Sequence, residues 1–329
     1  MTKGVNVLEL EKNQLLARVA HLYYIEDTNQ ATIARDLNIH RTTVSRMLKE
    51  ARKKGIVEIQ VNDFDAGLFE LEAEAKEKFG LAYLEVVPSN PEDNAETIKE
   101  AIGLRASTLI RRLINDGDNV GLSWGSSLAA TVKHVERKYT ENTVFVPLVG
   151  GSTQVEASDH VNTLVYELSR KFQGQNIFVN ASAIQETPGL SRGIINSQYF
   201  SELRGYWSNL DKAIVGIGGE LGLEDSSWRD LLTEKDRKVL KEKEIIGDTC
   251  CRFFDKDGQV LKGNLYDRTI GVSLEQLKSI PVSIGVAAGE DKACAINALL
   301  ESSYINSLVT DESTLRKVLQ FEAKNGKER

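Results

Sequence analysis

Strand-like and helix-like segments alternate along most of this chain, and that alternation limits its fold more than any other feature. Short apolar runs typical of strands fall at residues 83–87, 119–123, 143–149, 177–181, 213–217, 249–254, 282–287 and 305–309. Amphipathic segments typical of helices fall at residues 68–79, 92–115, 126–138, 160–172, 274–280, 292–302 and 313–323. Because parallel strands need long crossover connections, which are usually helical, this order predicts a mostly parallel sheet covered by helices.

The first sixty residues follow another pattern, with three helical segments and no strand between them. The segments are residues 9–26, 30–37 and 41–54, and apolar residues recur in them at spacings of three and four. Thr28 and Asn29 suit the start of the second helix, Asn38 suits a sharp turn, and Gly55 suits a helix end. The second and third helices resemble a helix-turn-helix, and the alternating residues 56–61 predict a strand that could form a wing.

Charge is distributed unevenly between the two parts of the chain. The whole protein carries a net charge of -7, yet residues 35–54 contain seven basic and two acidic side chains. A basic patch on an acidic protein is typical of a local site for a polyanion. The expected DNA-contacting residues are Gln30, Arg41, Thr42, Thr43, Ser45, Arg46 and Lys49. The alternative is an ordinary helical hairpin with a solvated basic face.

Composition excludes several other classes of protein. Hydrophobic residues make up 41% of the chain, which is enough for a packed core, and no run approaches the ~18 apolar residues of a membrane span. The first residues lack the apolar segment of a signal peptide, so we expect a cytoplasmic location without membrane association. The three cysteines and four histidines show no metal-ligand spacing, so we expect no metal and no cofactor, and structural or surface roles for the histidines.

Glycine-containing turns follow three of the predicted strands, where ligands bind in open parallel sheets. The first contains Gly125, Ser126 and Ser127, and its backbone N–H groups could hold an anion at a helix start. The second contains Gly150, Gly151 and Ser152, and the third spans residues 216–220. Together they favour a phosphorylated or polyhydroxylated ligand, although each alone could be a tight connection.

Two charged residues near these turns are further candidates. Lys292 opens a predicted helix and could bind a phosphate, or it could be solvated. Asp248 precedes a predicted strand and could accept hydrogen bonds from sugar hydroxyls, or it could cap a turn.

Several blocks of sequence resemble the SorC/DeoR-type family of bacterial transcriptional regulators. They are QATIARDLNIHRTTVSRMLKEARKKGIVEIQV, GLSWGSS, VPLVGGS, VGIGG, GDTCCRFFDKDG, RTIGVSLEQL, GVAAGEDKACAI and INSLVTDE, in that order. The resemblance implies a winged helix-turn-helix over residues 1–61. It implies a Rossmann-like domain of the sugar-phosphate isomerase and deaminase type over residues 62–329, which binds the effector and forms dimers or tetramers.

The same resemblance implies roles for individual residues. The effector pocket would be formed by Gly125, Ser126, Ser127, Gly150, Gly151, Ser152, Asp248 and Lys292. Asp248 would bind sugar hydroxyls, and Lys292 would bind phosphate. This chain has Ala288 where the family more often has glycine, and serine replaces threonine in the first turn. VPLVGGS contains no lysine that could form a Schiff base.

We therefore expect a non-enzymatic regulator of carbohydrate metabolism, with repression favoured over activation. Its partners would be a roughly palindromic double-stranded DNA operator and a sugar or sugar-phosphate effector. One alternative is a sugar-phosphate isomerase or deaminase fused to a DNA-binding module, with Glu220, Asp248 and Glu290 as its candidate carboxylates. The other is a DNA-binding protein whose larger domain serves only for assembly.

Overall fold

A computed structural model describes residues 7–58, 66–90, 92–152, 155–219 and 232–321. The chain divides into two compact units, Met1–Asp65 and Ala66–Arg329. The boundary expected between residues 61 and 62 falls in the segment 59–65, outside the described residues.

The first unit contains three helices, α1 (Val7–Tyr24), α2 (Gln30–Asp36) and α3 (Arg41–Lys53). Val19, Ile33 and Val44, one from each helix, are fully buried in a small core. The Asn29 side chain caps α2 by accepting hydrogen bonds from the amides of Ala31 and Thr32, and Asn38 has the left-handed φ of 52° that a sharp turn requires. The three predicted helices are therefore confirmed. Residues 56–58 of the predicted wing strand are not in a strand, because the amides of Ile56 and Val57 bond to the Ala51 carbonyl at the end of α3, and residues 59–61 lie outside the described residues.

The second unit consists of alternating strands and helices. Its strands are β1 (Tyr83–Val87), β2 (Asn119–Leu122), β3 (Val144–Pro147), β4 (Gln175–Asn176), β5 (Lys212–Gly216), β6 (Ile245–Thr249), β7 (Arg252–Asp255), β8 (Val282–Val286) and β9 (Ser307–Asp311). Its helices are α4 (Ala66–Phe79), α5 (Ala95–Leu113), α6 (Ser126–His134), α7 (Val161–Phe172), α8 (Pro188–Asn196), α9 (Ser201–Trp207), α10 (Glu234–Glu242), α11 (Asn264–Arg268), α12 (Leu274–Ser279), α13 (Ala293–Glu301) and α14 (Glu312–Leu319).

Seven of these strands form one parallel sheet, in the order β1-β9-β8-β5-β2-β3-β4. All four residues of β3 are buried, as expected for a strand with helices on both faces of its sheet. From β2 the chain proceeds outward to β3 and β4, whereas β5 lies on the other side of β2 and leads to β8 and β9. The direction of winding therefore changes between β2 and β5, and such a point opens a crevice at the carboxyl ends of the strands.

The prediction of one strand over residues 249–254 was wrong. The segment turns back on itself, and β6 and β7 form a separate antiparallel hairpin. Its turn residues, Cys250 and Cys251, have φ values of 51° and 54°. Both side chains are buried, and burial raises the pKa of Cys250 to about 12. The turn could not be recognised from the sequence, because it contains neither glycine nor asparagine, the residues typical of such turns.

The prediction of a strand over residues 177–181 was also wrong, because the pairing with β3 ends at the hydrogen bond of 3.0 Å from the Ile177 amide to the Phe145 carbonyl. At Val179 the Asn162 side chain replaces a neighbouring strand: it accepts a hydrogen bond from the Val179 amide at 3.0 Å and donates one to its carbonyl at 2.9 Å. The predicted helix over residues 126–138 is shorter, since α6 ends at His134. Helices α8, α9, α10 and α11 were not predicted.

Candidate functional site

The turn after β2 lies beside the point where the winding changes. The Ser123 hydroxyl accepts a hydrogen bond of 3.1 Å from the Gly216 amide and so joins the ends of β2 and β5. Gly125 has a φ of 126°, which favours glycine, and its Cβ position faces open space. Helix α6 begins at Ser126, and within the described ranges the amides of Ser126 and Ser127 have no acceptor. The turn therefore offers unpaired donors at a helix start, as predicted.

The turn after β5 contacts both charged residues that the sequence singled out. The Gly218 amide donates a hydrogen bond of 2.9 Å to the Asp248 carbonyl, and the Asp248 amide donates one of 3.2 Å in return. At Gly219 a side chain would begin only 3.3 Å from Cγ of Lys292. Gly218 and Gly219 thus lie between Asp248 and Lys292, which are 44 positions apart in the sequence.

Asp248 is buried, and a buried arginine holds the hairpin that carries it. Arg252 donates hydrogen bonds to the carbonyls of Gly271 at 2.7 Å and Val272 at 3.1 Å, and its guanidinium lies 4.1 Å from the centre of the Tyr266 ring. Because backbone acceptors satisfy this cation, the hairpin is attached firmly to residues 266–272.

Both glycine amides of the turn after β3 are paired with neighbouring backbone carbonyls. Gly150 donates to the carbonyl of Ile270 and Gly151 donates to that of Ala181, both at 2.9 Å. A side chain at Gly150 would lie 2.6 Å from the Ser182 carbonyl, so only glycine fits there. Ser152 is also buried. The segment that contains Ile270 is the one that Arg252 holds, which links this turn indirectly to Asp248.

The turn after β8 positions Lys292 immediately before α13. Gly289, with a φ of 112°, donates its amide hydrogen to Asp311 at 3.2 Å and to the Thr314 hydroxyl at 2.8 Å. Burial opposes ionisation of Asp311, but hydrogen bonds from Ser313, Thr314 and the Gly289 amide outweigh it and lower its pKa. The Asp311 carboxylate thus fixes the backbone three residues before Lys292.

We expect the Asp311 carboxylate to stabilise the fold in a pH-dependent way. Because its pKa is lower in the folded protein than in the unfolded chain, its contribution is present above the unfolded pKa of about 4 and is lost as pH falls through the folded pKa. Asp311→Asn should therefore lower the free energy of unfolding by about 1–2 kcal/mol at pH 7, and by less near pH 3. Urea unfolding at the two pH values measures this, and an equal loss at both would contradict it.

The four turns lie side by side at one edge of the sheet, because β8, β5, β2 and β3 are consecutive neighbours. Three strand spacings separate the outer two turns, roughly 14 Å. This edge therefore brings the unpaired amides of Ser126 and Ser127 to the same side of the sheet as Asp248 and Lys292. Among the described residues, no cluster of three or more histidine, cysteine, aspartate or glutamate side chains could hold a metal ion.

The third helix of the first unit presents the predicted basic face. Arg41, Thr42, Arg46 and Lys49 are exposed, whereas Gln30, Thr43 and Ser45 are half-buried. Over residues 7–58, no described carboxylate forms an ion pair with Arg41, Arg46 or Lys49. Lys54, in contrast, donates a hydrogen bond of 3.0 Å to Asn13. The face offers positive charge that the described part of the chain does not neutralise.

Sequence inspection missed three residues that shape the crevice. Ser123 and Asp311 lie in the blocks GLSWGSS and INSLVTDE, but they act through contacts with residues distant in sequence, and no role was predicted for either. His160, for which a structural or surface role was expected, caps α7, and its ring also lies against Gly151. The one available signal was its position directly before the apolar pattern of α7, which is typical of a helix cap.

Comparison with known proteins identifies the family of this chain. The Sugar-bind family, described as a sugar-binding domain, matches residues 65–320. The sorbitol operon regulator of Klebsiella pneumoniae is 35% identical over 310 residues, which cover 93% of this chain and 98% of that protein. The chain belongs to the SorC/DeoR-type family of bacterial transcriptional regulators.

One further relative of this SorC/DeoR-type regulator, and a solved structure of the sorbitol operon regulator itself, match almost its whole length. The deoxyribonucleoside regulator of Bacillus subtilis (strain 168) is 30% identical and covers 95% of this chain, with 99% of its own length matched. The crystal structure of the full-length sorbitol operon regulator SorC from Klebsiella pneumoniae is 34% identical, with a TM-score of 0.73, and covers 94% of this chain and 100% of that one. The predicted family is therefore confirmed, and so is its mostly parallel α/β fold. No described helix of this regulator is long and apolar enough to cross a membrane.

Proposed function

We propose that this chain is a cytoplasmic repressor that binds its operator through α3 and responds to a sugar phosphate held at the edge of the parallel sheet. Relatives named for sorbitol operon and deoxyribonucleoside regulation support a carbohydrate effector. The mechanism is linkage: an effector that binds one arrangement of the protein more tightly shifts the population toward it and so changes DNA affinity.

One observation carries the effector site: the turn after β5 touches Asp248 on one side and Lys292 on the other, next to the unpaired amides at the start of α6. A phosphate needs several donors and a cation, and a sugar needs acceptors for its hydroxyls. In our proposal Ser126, Ser127 and Lys292 bind the phosphate and Asp248 binds hydroxyls. Gly125 supplies a further backbone contact, whereas Gly150 and Gly151, whose amides are paired within the protein, border the pocket together with the buried Ser152.

The proposed DNA-binding unit is a winged helix-turn-helix over residues 1–61, and the effector domain spans residues 62–329. A symmetric dimer, or a tetramer built from dimers, would present two copies of α3 to one face of DNA. The operator would then be roughly palindromic, with half-sites about ten base pairs apart or a multiple of that distance. The contacting residues are the seven that the sequence indicated.

A thermal-shift screen tests the effector proposal directly. The free and phosphorylated forms of sorbitol, fructose, glucose and deoxyribose are added in turn to the full chain. We expect at least one phosphorylated form to raise the Tm and its free form to raise it less. A screen in which no sugar or sugar phosphate changes the Tm would favour a domain that serves only for assembly.

The enzymatic alternative, a phosphosugar isomerase or deaminase, needs an acid and a base in the crevice. Glu290 is exposed and forms an ion pair of 3.5 Å with Lys317, whereas Glu220 lies outside the described residues. We propose that the domain binds phosphosugars and does not convert them, in keeping with relatives that are named as regulators. Turnover of any member of the screening panel, followed by NMR, would contradict this proposal.

Arg46→Ala should weaken binding to the preferred operator by about 1.5 kcal/mol and relax its sequence preference. Arginine can donate two parallel hydrogen bonds to guanine, and Arg46 is exposed near the middle of α3. Lys53→Ala, at the end of the same helix, is the matched control and should mainly reduce the salt dependence of binding. Selection of binding sites from random DNA measures both effects. Identical preferences for the wild type and Arg46→Ala would contradict the assignment.

A further inference from the structure

His160 lies at the carboxyl edge of the parallel sheet, where it caps helix α7. Its Nδ1 accepts a hydrogen bond of 3.2 Å from the backbone amide of Asn162. A backbone amide can only donate, so Nδ1 must carry a lone pair and the proton of the neutral ring must be on Nε2. The fold therefore selects the tautomer of this histidine, with its single N–H at the other side of the ring.

That second nitrogen lies against one of the glycine turns of the crevice. A side chain added at Gly151 would place its Cβ only 2.3 Å from Nε2 of His160. The peptide groups of Gly151 are already used, because its amide donates to Ala181 at 2.9 Å and its carbonyl accepts from Ala183 at 2.7 Å. Glycine at this position therefore leaves space for the imidazole but accepts no hydrogen bond from its Nε2–H group.

The Nε2–H group has no acceptor in the described part of the chain. Burial lowers the pKa of His160 and keeps the ring neutral near pH 7. The nearest acidic side chain in sequence, Asp159, accepts its hydrogen bond from Ser158 at 3.2 Å. Asp159, Ser158 and Thr163 line a groove of about 560 Å³ together with Ser126, so residues on both sides of His160 share a groove with the first residue of α6.

An oriented, neutral donor that has no acceptor among the described residues and lies beside a turn of the proposed site is suited to contact a ligand. We infer that His160 belongs to the effector site and donates its Nε2–H to an uncharged oxygen of the bound sugar, a hydroxyl or a carbonyl, beside Gly151. This inference rests on the proposed function. It assigns His160 to recognition of the sugar itself and leaves the phosphate to Ser126, Ser127 and Lys292.

The variant His160→Asn tests the contact with the ligand, because it removes that contact and keeps the cap of α7. Asparagine is among the best capping residues, so α7 keeps its cap, but the shorter side chain removes the imidazole donor. The probe is the panel member that raises the Tm of the wild type most, and calorimetry measures its Kd. We expect the variant to unfold at the wild-type temperature and to bind about tenfold more weakly, as for the loss of one neutral hydrogen bond.

His134→Asn is the matched control, because His134 lies at the end of α6 opposite Ser126 and pairs with Glu100. Its ligand affinity should be unchanged. Equal affinities for the wild type and His160→Asn would overturn the role of His160 and leave the proposed function intact. Failure of the wild type to bind any member of the panel would overturn both.

The tautomer provides a test that needs no ligand. In protein with ¹⁵N-labelled histidine, the signals absent from the His160→Asn spectrum belong to His160. We expect a protonated Nε2 and an unprotonated Nδ1 at pH 7. The opposite tautomer, or a charged ring, would overturn the inference, because Nδ1 could not then accept from Asn162.

Discussion

Arg268→Met should lower the free energy of unfolding by about 3–5 kcal/mol, because it leaves a buried carboxylate without its cation. Arg268 donates to Asp236 at 2.6 Å, and only 7% of either side chain is exposed. The same guanidinium donates to Asn264 at 2.9 Å and to the Gln185 carbonyl at 3.0 Å. One side chain thus joins α10, α11 and the segment before α8.

The matched control for this loss is Arg316→Met. Arg316 also lies 2.6 Å from a carboxylate, that of Glu312, but its side chain is 53% exposed. Solvent screens such pairs, so the control should cost less than about 1 kcal/mol. Urea unfolding followed by tryptophan fluorescence measures both variants, since all three tryptophans lie beyond residue 66. Equal losses for the two variants would contradict the importance of the buried pair.

Lys292→Ala should bind the effector phosphate about thirtyfold more weakly, on the order of 2 kcal/mol. Lys292 packs against Gly219 in the turn beside Asp248, and hydrogen bonds between a cation and a phosphate are roughly twice as strong as neutral ones. The loss should exceed that of Ser126→Ala or Ser127→Ala, because each serine supplies only a neutral hydroxyl and its amide remains. Operator binding without ligand should be unchanged.

Lys317→Ala is the matched control for this experiment, since Lys317 pairs with Glu290 in the same turn. Calorimetry with one sugar and its phosphate measures the affinities. The wild type should bind the phosphate more tightly than the free sugar, and Lys292→Ala should lose most of that preference. Tighter binding of the free sugar by the wild type, or unchanged affinities for Lys292→Ala, would exclude a phosphate at Lys292.

The sequence predicted correctly those helices and strands whose apolar spacing and capping residues depend only on neighbours in sequence. The apolar spacing of α3, the capping residue Asn29 and the buried strand β3 each depend on neighbours in sequence. The hairpin of β6 and β7 was not predictable, because Cys250 and Cys251 adopt a conformation that their residue type disfavours. What holds that hairpin is Arg252, whose acceptors lie about twenty residues further along the chain.

The candidate site was also predictable only in part. Glycines and serines after strands indicated the turns, since few other residues fit such positions. Sequence inspection did not indicate that Gly219 contacts Lys292, that Asp311 holds Gly289, or that His160 lies against Gly151. These contacts depend on the order of strands in the sheet, which local patterns do not determine.

The central claim is that binding of the effector in the crevice controls the affinity of α3 for the operator DNA. Fluorescence anisotropy with a labelled operator measures it, with increasing amounts of the phosphosugar that the thermal-shift screen selects. The account predicts that the ligand releases wild-type protein from the operator and that Lys292→Ala needs about thirtyfold more ligand for the same release. Operator affinity that does not change at saturating ligand, in a protein whose Tm that ligand raises, would contradict it.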